Sequence, residues 1–411
     1  MTRSPGLSQW QQTVSRHMPH LSKPQVTVLA LWSFGMVVAQ SCGLTSVSAS
    51  LAPLVSRKEA ALRQQLREWC YDAPRKAGSK RGDKRRSLDV TTCFAPLLGW
   101  VLAWWPPVER RLALALDAST LGQRFTVLCI SVIYRGCAIP IAWVVLPATS
   151  KGAWRPHWKR LLTQIHAGVP SDWTVLVLAD RGLYARWLYL HIQSLGWHPF
   201  LRINQGGNYR RAGQACFRPL AQLVRLDGQS WSGQVTCFSS PQAQLDCTLL
   251  ACRDAGHTDP WLIVTDLPPA AADIAWYGLR PMIECGFKDT KRGGWHWEQT
   301  KMSDPARATR LWLAIAVATL WVVSVGGQAE VSMPASMLDD LPALHVARRR
   351  ATKRSRPRLL SCFRRGVLVI VTTLIREGVL PSSAFVPEPW PKRLDIHLLP
   401  PIQHKQRQKA A

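Results

Sequence analysis

Three acidic residues in this strongly basic chain stand where a reactive site could be built. Asp117 closes the short apolar run "LALALDAS", and Asp180 closes "WTVLVLAD". An apolar strand ending in a lone Asp puts a carboxylate at the carboxyl edge of a sheet, where sites tend to lie. The third acid, Glu284, lies in "YGLRPMIECGFKDTKRGGW" (Tyr277 to Trp295). Positions 277, 280, 284, 288 and 291 step by 3, 4, 4 and 3, so on one helix they would share a face. Glu284 would then stand beside Arg280, Lys288 and Lys291, one fork and two point charges that suit phosphate oxygens. Taken alone, the segment reads more simply as a solvated helix with Glu284 and Lys288 paired at i,i+4. Pro281 biases Arg280 away from helical angles. A helix starting at Pro281 would leave Tyr277 and Arg280 in a preceding turn and keep the shared face for Glu284, Lys288 and Lys291.

The surrounding elements must position these residues. Residues up to about Pro106 look helical and basic. "VLALWSFGMVVAQS", "CG" and "LTSVSASLAPLV" read as helix, tight turn, helix, with Gly43 as the stop and Thr45 as the next N-cap. This is equally a helix-turn-helix or an ordinary helical hairpin. After Arg111 the pattern changes. "LALALDAS" is followed by a hairpin, "RFTVLCISVIY" and "IPIAWVVLPA" around "RGCA". Helix "WRPHWKRLLTQIHAGV", strand "WTVLVLAD", helix "RGLYARWLYLHIQSLGW" and strand "HPFLRI" come next. Antiparallel strands followed by helix-strand units imply a mixed sheet with helices on its faces, in the order of the RNase H-like fold. The segment 205–269 reads as a β-rich insertion, with Asp254, Asp259 and Asp266 as turn residues. Helix then returns and runs, with interruptions, to Val325.

Composition narrows the partners. The 411 residues suggest two or three domains. Lys plus Arg number 52 against 25 acids, a formal charge of +27, which points to a polyanion and first of all to nucleic acid. Two basic runs, "RKAGSKRGDKRR" (Arg75 to Arg86) and "ARRRATKRSRPR" (Ala347 to Arg358), read as solvated faces or phosphate-gripping arms. Tyr277 could bond or stack on nucleic acid at the edge that carries Arg280. The eleven cysteines show no CxxC pair and read as reduced, buried thiols of a cytosolic protein. The N-terminus does not read as a signal peptide. The apolar runs Val26 to Ala39 and Leu311 to Gly327 fall short of the about 20 residues a membrane span needs and read as buried helices. No HExxH or Walker-type loop supports a zinc hydrolase or P-loop NTPase.

In an RNase H-like sheet the strands ending in Asp117 and Asp180 are neighbours, so their carboxylates would converge. They would repel unless a cation lay between them, and hard oxygen donors suit Mg²⁺ or Mn²⁺. Two ions about 3.5–4 Å apart clamp the attacking and leaving oxygens of a phosphodiester. Glu284 would complete the cage.

Tyr277, Arg280, Glu284 and Lys291 also fit a Tyr-x2-Arg-x3-Glu-x6-Lys spacing. With "LALALDAS", "VLVLADRGLY" and the β-rich insertion before the Glu, the chain from about residue 20 to 325 resembles the bacterial insertion-sequence transposases that carry this signature and a DDE site. The resemblance implies an RNase H-like catalytic domain, Asp117, Asp180 and Glu284 as metal ligands, two Mg²⁺ or Mn²⁺ ions, and DNA cleavage followed by strand transfer. It also implies element ends and target DNA as partners, a synaptic homodimer, and a cytoplasmic, nucleoid-associated protein without membrane attachment. Family members can flip a base onto an insertion-domain aromatic. Trp231, read at a hairpin tip, suits that role, with Trp261 the other option.

The expected organisation is a helical basic DNA-binding region over 1–106, catalytic domain over 107–204 and 270–330, insertion over 205–269, and a basic region over 331–411. The rival readings are a DNA-binding protein that no longer cuts and an RNase H-like nuclease without strand transfer. Neutralising Arg348, Arg349 and Arg350 together should weaken DNA binding and flatten its salt dependence, since each phosphate held adds about −0.9 to the log–log slope. An unchanged slope in a salt titration would make this run a solvated tail.

Overall fold

The computed structural model describes residues 5–76, 86–150, 152, 154–254, 259–332, 360–376 and 378–393. The basic run 347–358 and most of 75–86 lie outside them. The described residues form two compact units, one drawn from 5–174, 281–332 and 360–388, the other from 175–280 and 389–393.

The first unit opens with four helices, α1 (Pro5–His17), α2 (Lys23–Ala39), α3 (Leu44–Leu54) and α4 (Glu59–Trp69), followed by α5 (Phe94–Ala103). α2 and α3 meet at 97°, a helix-turn-helix angle. The turn differs from expectation. Gln40, in the left-handed region, ends α2, and Gly43 is the N-cap of α3, so Thr45 lies inside the helix. Three antiparallel strands follow, β1 (Arg111–Leu121), β2 (Phe125–Tyr134) and β3 (Cys137–Pro147), then α6 (Arg155–His166). The β2–β3 turn is only Arg135-Gly136, both at positive φ as a type I′ hairpin requires.

In the second unit β4 (Thr174–Ala179) runs parallel to β5 (His198–Arg202), with α7 (Arg186–Ser194) between them in sequence. This completes the RNase H-like order. The insertion supplies β6 (Asn208–Arg211), β7 (Arg218–Pro219), β8 (Ser230–Cys237), β9 (Leu245–Cys252) and β10 (Trp261–Thr265). It is not a separate sheet: β10 pairs antiparallel with β5 and β9, and β8 pairs with β9 and β6. Two insertion acids have side-chain partners: Asp259 pairs with Arg181 at 2.9 Å, and Asp266 lies 3.1 Å from His198 Nδ1.

The chain then returns to the first unit with α8 (Met282–Thr290), α9 (Pro305–Ser332) and α10 (Cys362–Ile375). α9, 28 residues long, exceeds the apolar run that marked it and is long enough to cross a membrane, yet nearly all of its apolar window is buried. It packs against α10, β3 and α2. Nine of the eleven cysteines are buried, but Cys216 and Cys285 are exposed.

Glycines set how closely α9 and α10 approach. A Cβ on Gly326 would run into the carbonyl of Cys362, and one on Gly366 into that of Val322. Gly99, inside α5, has nothing within 4 Å of its would-be Cβ. Gly366→Ala should therefore destabilise by about 1–3 kcal/mol through overpacking. Gly99→Ala should be neutral or stabilise by up to about 1 kcal/mol through helix propensity. Denaturant unfolding of both variants checks the contrast.

Candidate nucleic-acid processing site

In the first unit the site residues come from β1 and α8. Asp117 does not end its strand: β1 continues through Ala118 to Leu121, with Asp117 opposite Cys129. Its Oδ1 accepts from the N–H of Ala118 at 2.8 Å. Burial pushes the Cys129 thiol up to about 12, and the Asp117 charge adds to the rise. The strand runs on because Ser119, Thr120 and Leu121 keep β pairing with β2, so the acid alone did not mark an end.

Glu284 sits in the first turn of α8, which begins directly after Pro281. A carboxylate there complements the helix dipole. Glu284 and Lys288 are both exposed and share a face. Gly286 lies so near Ala138 of β3 that a Cβ would meet its methyl at 2.8 Å and its carbonyl at 3.1 Å, which seats α8 tightly on that strand. Lys291, the C-cap of α8, donates to Ser119 Oγ and to the Thr120 carbonyl, each at 2.7 Å. This ties the end of the signature segment to β1, two residues beyond Asp117. Burial lowers the Lys291 pKa, while Glu298 works against that. Ser119 and Thr120 escaped the sequence reading; "DAST" gives no hint that a lysine 172 residues away uses them.

The second unit holds the rest. Asp180 follows β4 directly, as expected. Its Oδ1 accepts from the N–H groups of Gly182 (2.9 Å) and Leu183 (3.1 Å), and its Oδ2 lies 3.3 Å from Arg280 Nη2. Arg280 and Tyr277 sit before the helix, Tyr277 in a 3-10 turn over Ile274–Leu279. Both are buried, at 7% and 3% exposure. Arg280 therefore orients a carboxylate, and the Tyr277 ring meets Trp261 edge-on at 5.1 Å instead of offering a stacking face. Burial pushes the Tyr277 hydroxyl up to about 12, against the pull of Arg280 and Arg202. Trp231 is not at a hairpin tip. It lies within β8 opposite Ala251, half-buried, with the Arg211 guanidinium 5.1 Å from its ring.

Three carboxylates are the donor type that Mg²⁺ or Mn²⁺ prefers. Among the described residues, however, no three His, Cys, Asp or Glu side chains group closely enough to hold a metal ion.

Residues 117–321 match the family described as "Transposase DDE domain". Among solved structures, a cryo-EM structure of a piggyBac transposase synaptic complex with hairpin DNA is similar at a TM-score of 0.37 and 11% identity, covering 76% of this chain and 71% of that one. No curated protein matches the chain.

Asp289, on the other side of α8 from Glu284, gives a pH test of the site's helix. Burial raises its carboxyl to about 7, partly offset by Lys288 and Arg364. Its folded pKa thus exceeds the unfolded one, near 3.9. The folded state binds this proton more tightly, so stability should fall as pH rises from about 4 to 7. Asp289→Asn should flatten that slope and raise the melting temperature at pH 8 more than at pH 5. Thermal unfolding across pH checks it.

Proposed function

Because residues 117–321 belong to the Transposase DDE domain family, we propose that this transposase cleaves DNA at the ends of an insertion sequence and joins them to target DNA. That family match carries the reading. The spacing of Tyr277, Arg280, Glu284 and Lys291 supports the particular insertion-sequence group, and the +27 charge supports DNA as the partner.

In the proposed first step a water oxygen attacks the phosphorus at the element end. The bond from phosphorus to the 3′-oxygen breaks, and that oxygen takes a proton to become a 3′-hydroxyl. In the second step this hydroxyl loses its proton and attacks a target phosphorus, whose own 3′-oxygen leaves. We assign Asp117, Asp180 and Glu284 as ligands of Mg²⁺ or Mn²⁺, two ions in all, by their place in the family pattern and their donor type. Bound divalent cations supply charge neutralisation and nucleophile activation in such displacements.

The chain's own residues have distinct tasks in this reading. Lys288, exposed beside Glu284, offers a point charge to a phosphate. Lys291 holds the end of α8 to β1 through two hydrogen bonds and lends its charge to that edge. Arg280 positions Asp180. Tyr277, buried, supports Arg280 from within. Trp231 keeps a half-exposed ring that a flipped base could reach. Residues 1–106 and the basic C-terminal region bind the terminal repeats, in a synaptic homodimer acting in the cytoplasm on the nucleoid. Catalytic domain, insertion and flanking regions follow the boundaries given above.

A second reading is a DNA-binding protein that no longer cuts. One experiment decides between them. Purified protein, labelled end DNA and Mg²⁺ or Mn²⁺ should give nicked and joined products. Glu284→Ala should abolish them and leave gel-shift binding intact or slightly tighter, since one negative charge facing DNA is gone. Near-normal nicking by this variant would refute the acid triad. Wild-type binding with no cleavage in either metal would establish the second reading.

A further inference from the structure

A cavity of about 550 Å³ lies in the first unit, between the start of α3, the exposed side of α4, and the segment that leads from residue 296 into α9. Arg63, Arg67, Lys301 and Arg307 line it, and among the described residues no Asp or Glu does. We propose that this cleft is a binding site for the sugar–phosphate backbone of DNA, separate from the carboxylate-bearing residues of β1 and α8.

The sequence of α4 makes one wall cationic. Leu62, Leu66 and Trp69 are buried, and this fixes Arg63 and Arg67, one turn apart, on the outer face. Glu59, one turn before Arg63 on the same helix, offsets part of this like-charge pair at i,i+4. The Tyr71 ring then gathers two guanidinium groups: Arg307 lies 4.4 Å from its centroid and Arg67 5.8 Å, and Arg67 Nε also donates to the Tyr71 hydroxyl at 2.5 Å. Cation–π contacts hold both forks in place while leaving guanidinium donors for oxygen acceptors. The carboxylate nearest Arg307 is Asp304, at 3.8 Å. Asp304 lies outside the cleft lining and also caps α9 through the N–H groups of Ala306 and Arg307.

The opposite wall is a connecting segment held in shape from below. Arg124, beside the β1–β2 turn, donates to the carbonyls of Glu298 and Met302 at 3.0 Å each and to that of Thr300. Three backbone acceptors on one guanidinium fix the path of 298–302, so exposed Lys301 is presented from an ordered strap. At the floor, Cys42 N–H donates to the Trp295 carbonyl at 2.7 Å and joins the α2–α3 turn to the same segment. Exposed Thr45 and Ser46, at the start of α3, add hydroxyls at the rim.

Charge complementarity selects the occupant. Four cations in a cleft whose described lining holds no carboxylate, Arg307 being paired with Asp304 outside it, fit a polyanion in a chain of formal charge +27. The cations span both walls, the layout of a groove that tracks a backbone. The assignment rests on the proposed reading that residues 1–106 contact DNA and deepens it by naming one cleft and the part of DNA it holds.

The test uses the full chain, without divalent metal, and a labelled duplex of arbitrary sequence, followed by anisotropy between 50 and 200 mM salt. The combined variant Arg63→Ala, Arg67→Ala, Lys301→Ala should bind at least tenfold more weakly, with a log–log salt slope shallower by about 0.9 for each phosphate no longer held. Lys301→Glu alone, at an exposed position where folding is not at stake, should weaken binding severalfold. Arg225→Ala, on the exposed surface of the second unit, serves as the control and should change neither. An unchanged slope in the combined variant and unchanged affinity in Lys301→Glu would overturn the proposal and leave the transposase reading standing. Inorganic phosphate or a free nucleotide displacing the duplex at micromolar concentration would also overturn it, in favour of a small-anion pocket. Wild-type chain that binds DNA through the cleft but never cuts would keep the cleft and remove the catalytic reading.

Discussion

The first unit depends on the burial of α9. A helix that is apolar on every side cannot lie on a surface; it has to be covered all round. β3 covers one side, α10 another and α2 a third. This requirement brings the N-terminal helices into the same compact unit as β1–β3. Polar groups at the helix start lock the arrangement. Buried Arg310 donates to the carbonyls of Cys70 (2.8 Å) and Leu88 (3.2 Å) and to Asp72, while Trp69 Nε1 donates back to the Arg310 carbonyl at 3.2 Å. A buried guanidinium satisfied by carbonyls and one carboxylate is costly to unmake, so the end of α4 and the start of α9 keep their relation. The cationic cleft lies between these two elements.

Most of the fold was legible in the sequence, and the misses have physical causes that lie far along the chain. Alternating and all-apolar runs gave β1 to β5 and the helices between them, because burial on one or both faces leaves a strong periodic mark. Pro281 marked the start of α8, since a residue without an N–H is tolerated at a helix start and not in its interior; Arg280 nevertheless takes helical angles (φ −58°, ψ −45°), against the bias expected of a residue before proline. The composition change near residue 106 does not coincide with a boundary of the compact units, because the need to cover α9 is a long-range constraint that no window of sequence contains. Gly43 looked like a helix stop, but Gln40 takes the left-handed conformation, with its side-chain oxygen accepting from Arg364 at 3.0 Å. That partner is 324 residues away.

The candidate site shows the same division. Asp180 follows its strand as the apolar run suggested, whereas Asp117 lies within β1, and the surroundings of the acids were not legible. Arg280 and Tyr277 read as groups facing nucleic acid from their spacing to Glu284, yet both are buried, where Arg280 meets Asp180. Lys291 read as a phosphate ligand, and its two hydrogen bonds to β1 were not legible. Spacing along a chain reports which residues share a helix face. It does not report which of them the rest of the protein has already engaged.

The length of α9 also matters before the protein is finished. Its apolar stretch leaves the ribosome with β3 and the N-terminal helices already made, but α10 is still to come. At roughly 5–20 residues per second, several seconds pass before residues 362–375 emerge to close the remaining side. For that interval the nascent chain carries a segment with the length and apolarity of a membrane anchor and one flank uncovered. Gly326 and Gly366, which let the last helix settle directly onto that flank, therefore bear on how soon the exposed surface is withdrawn from chaperones and membrane-targeting factors during synthesis.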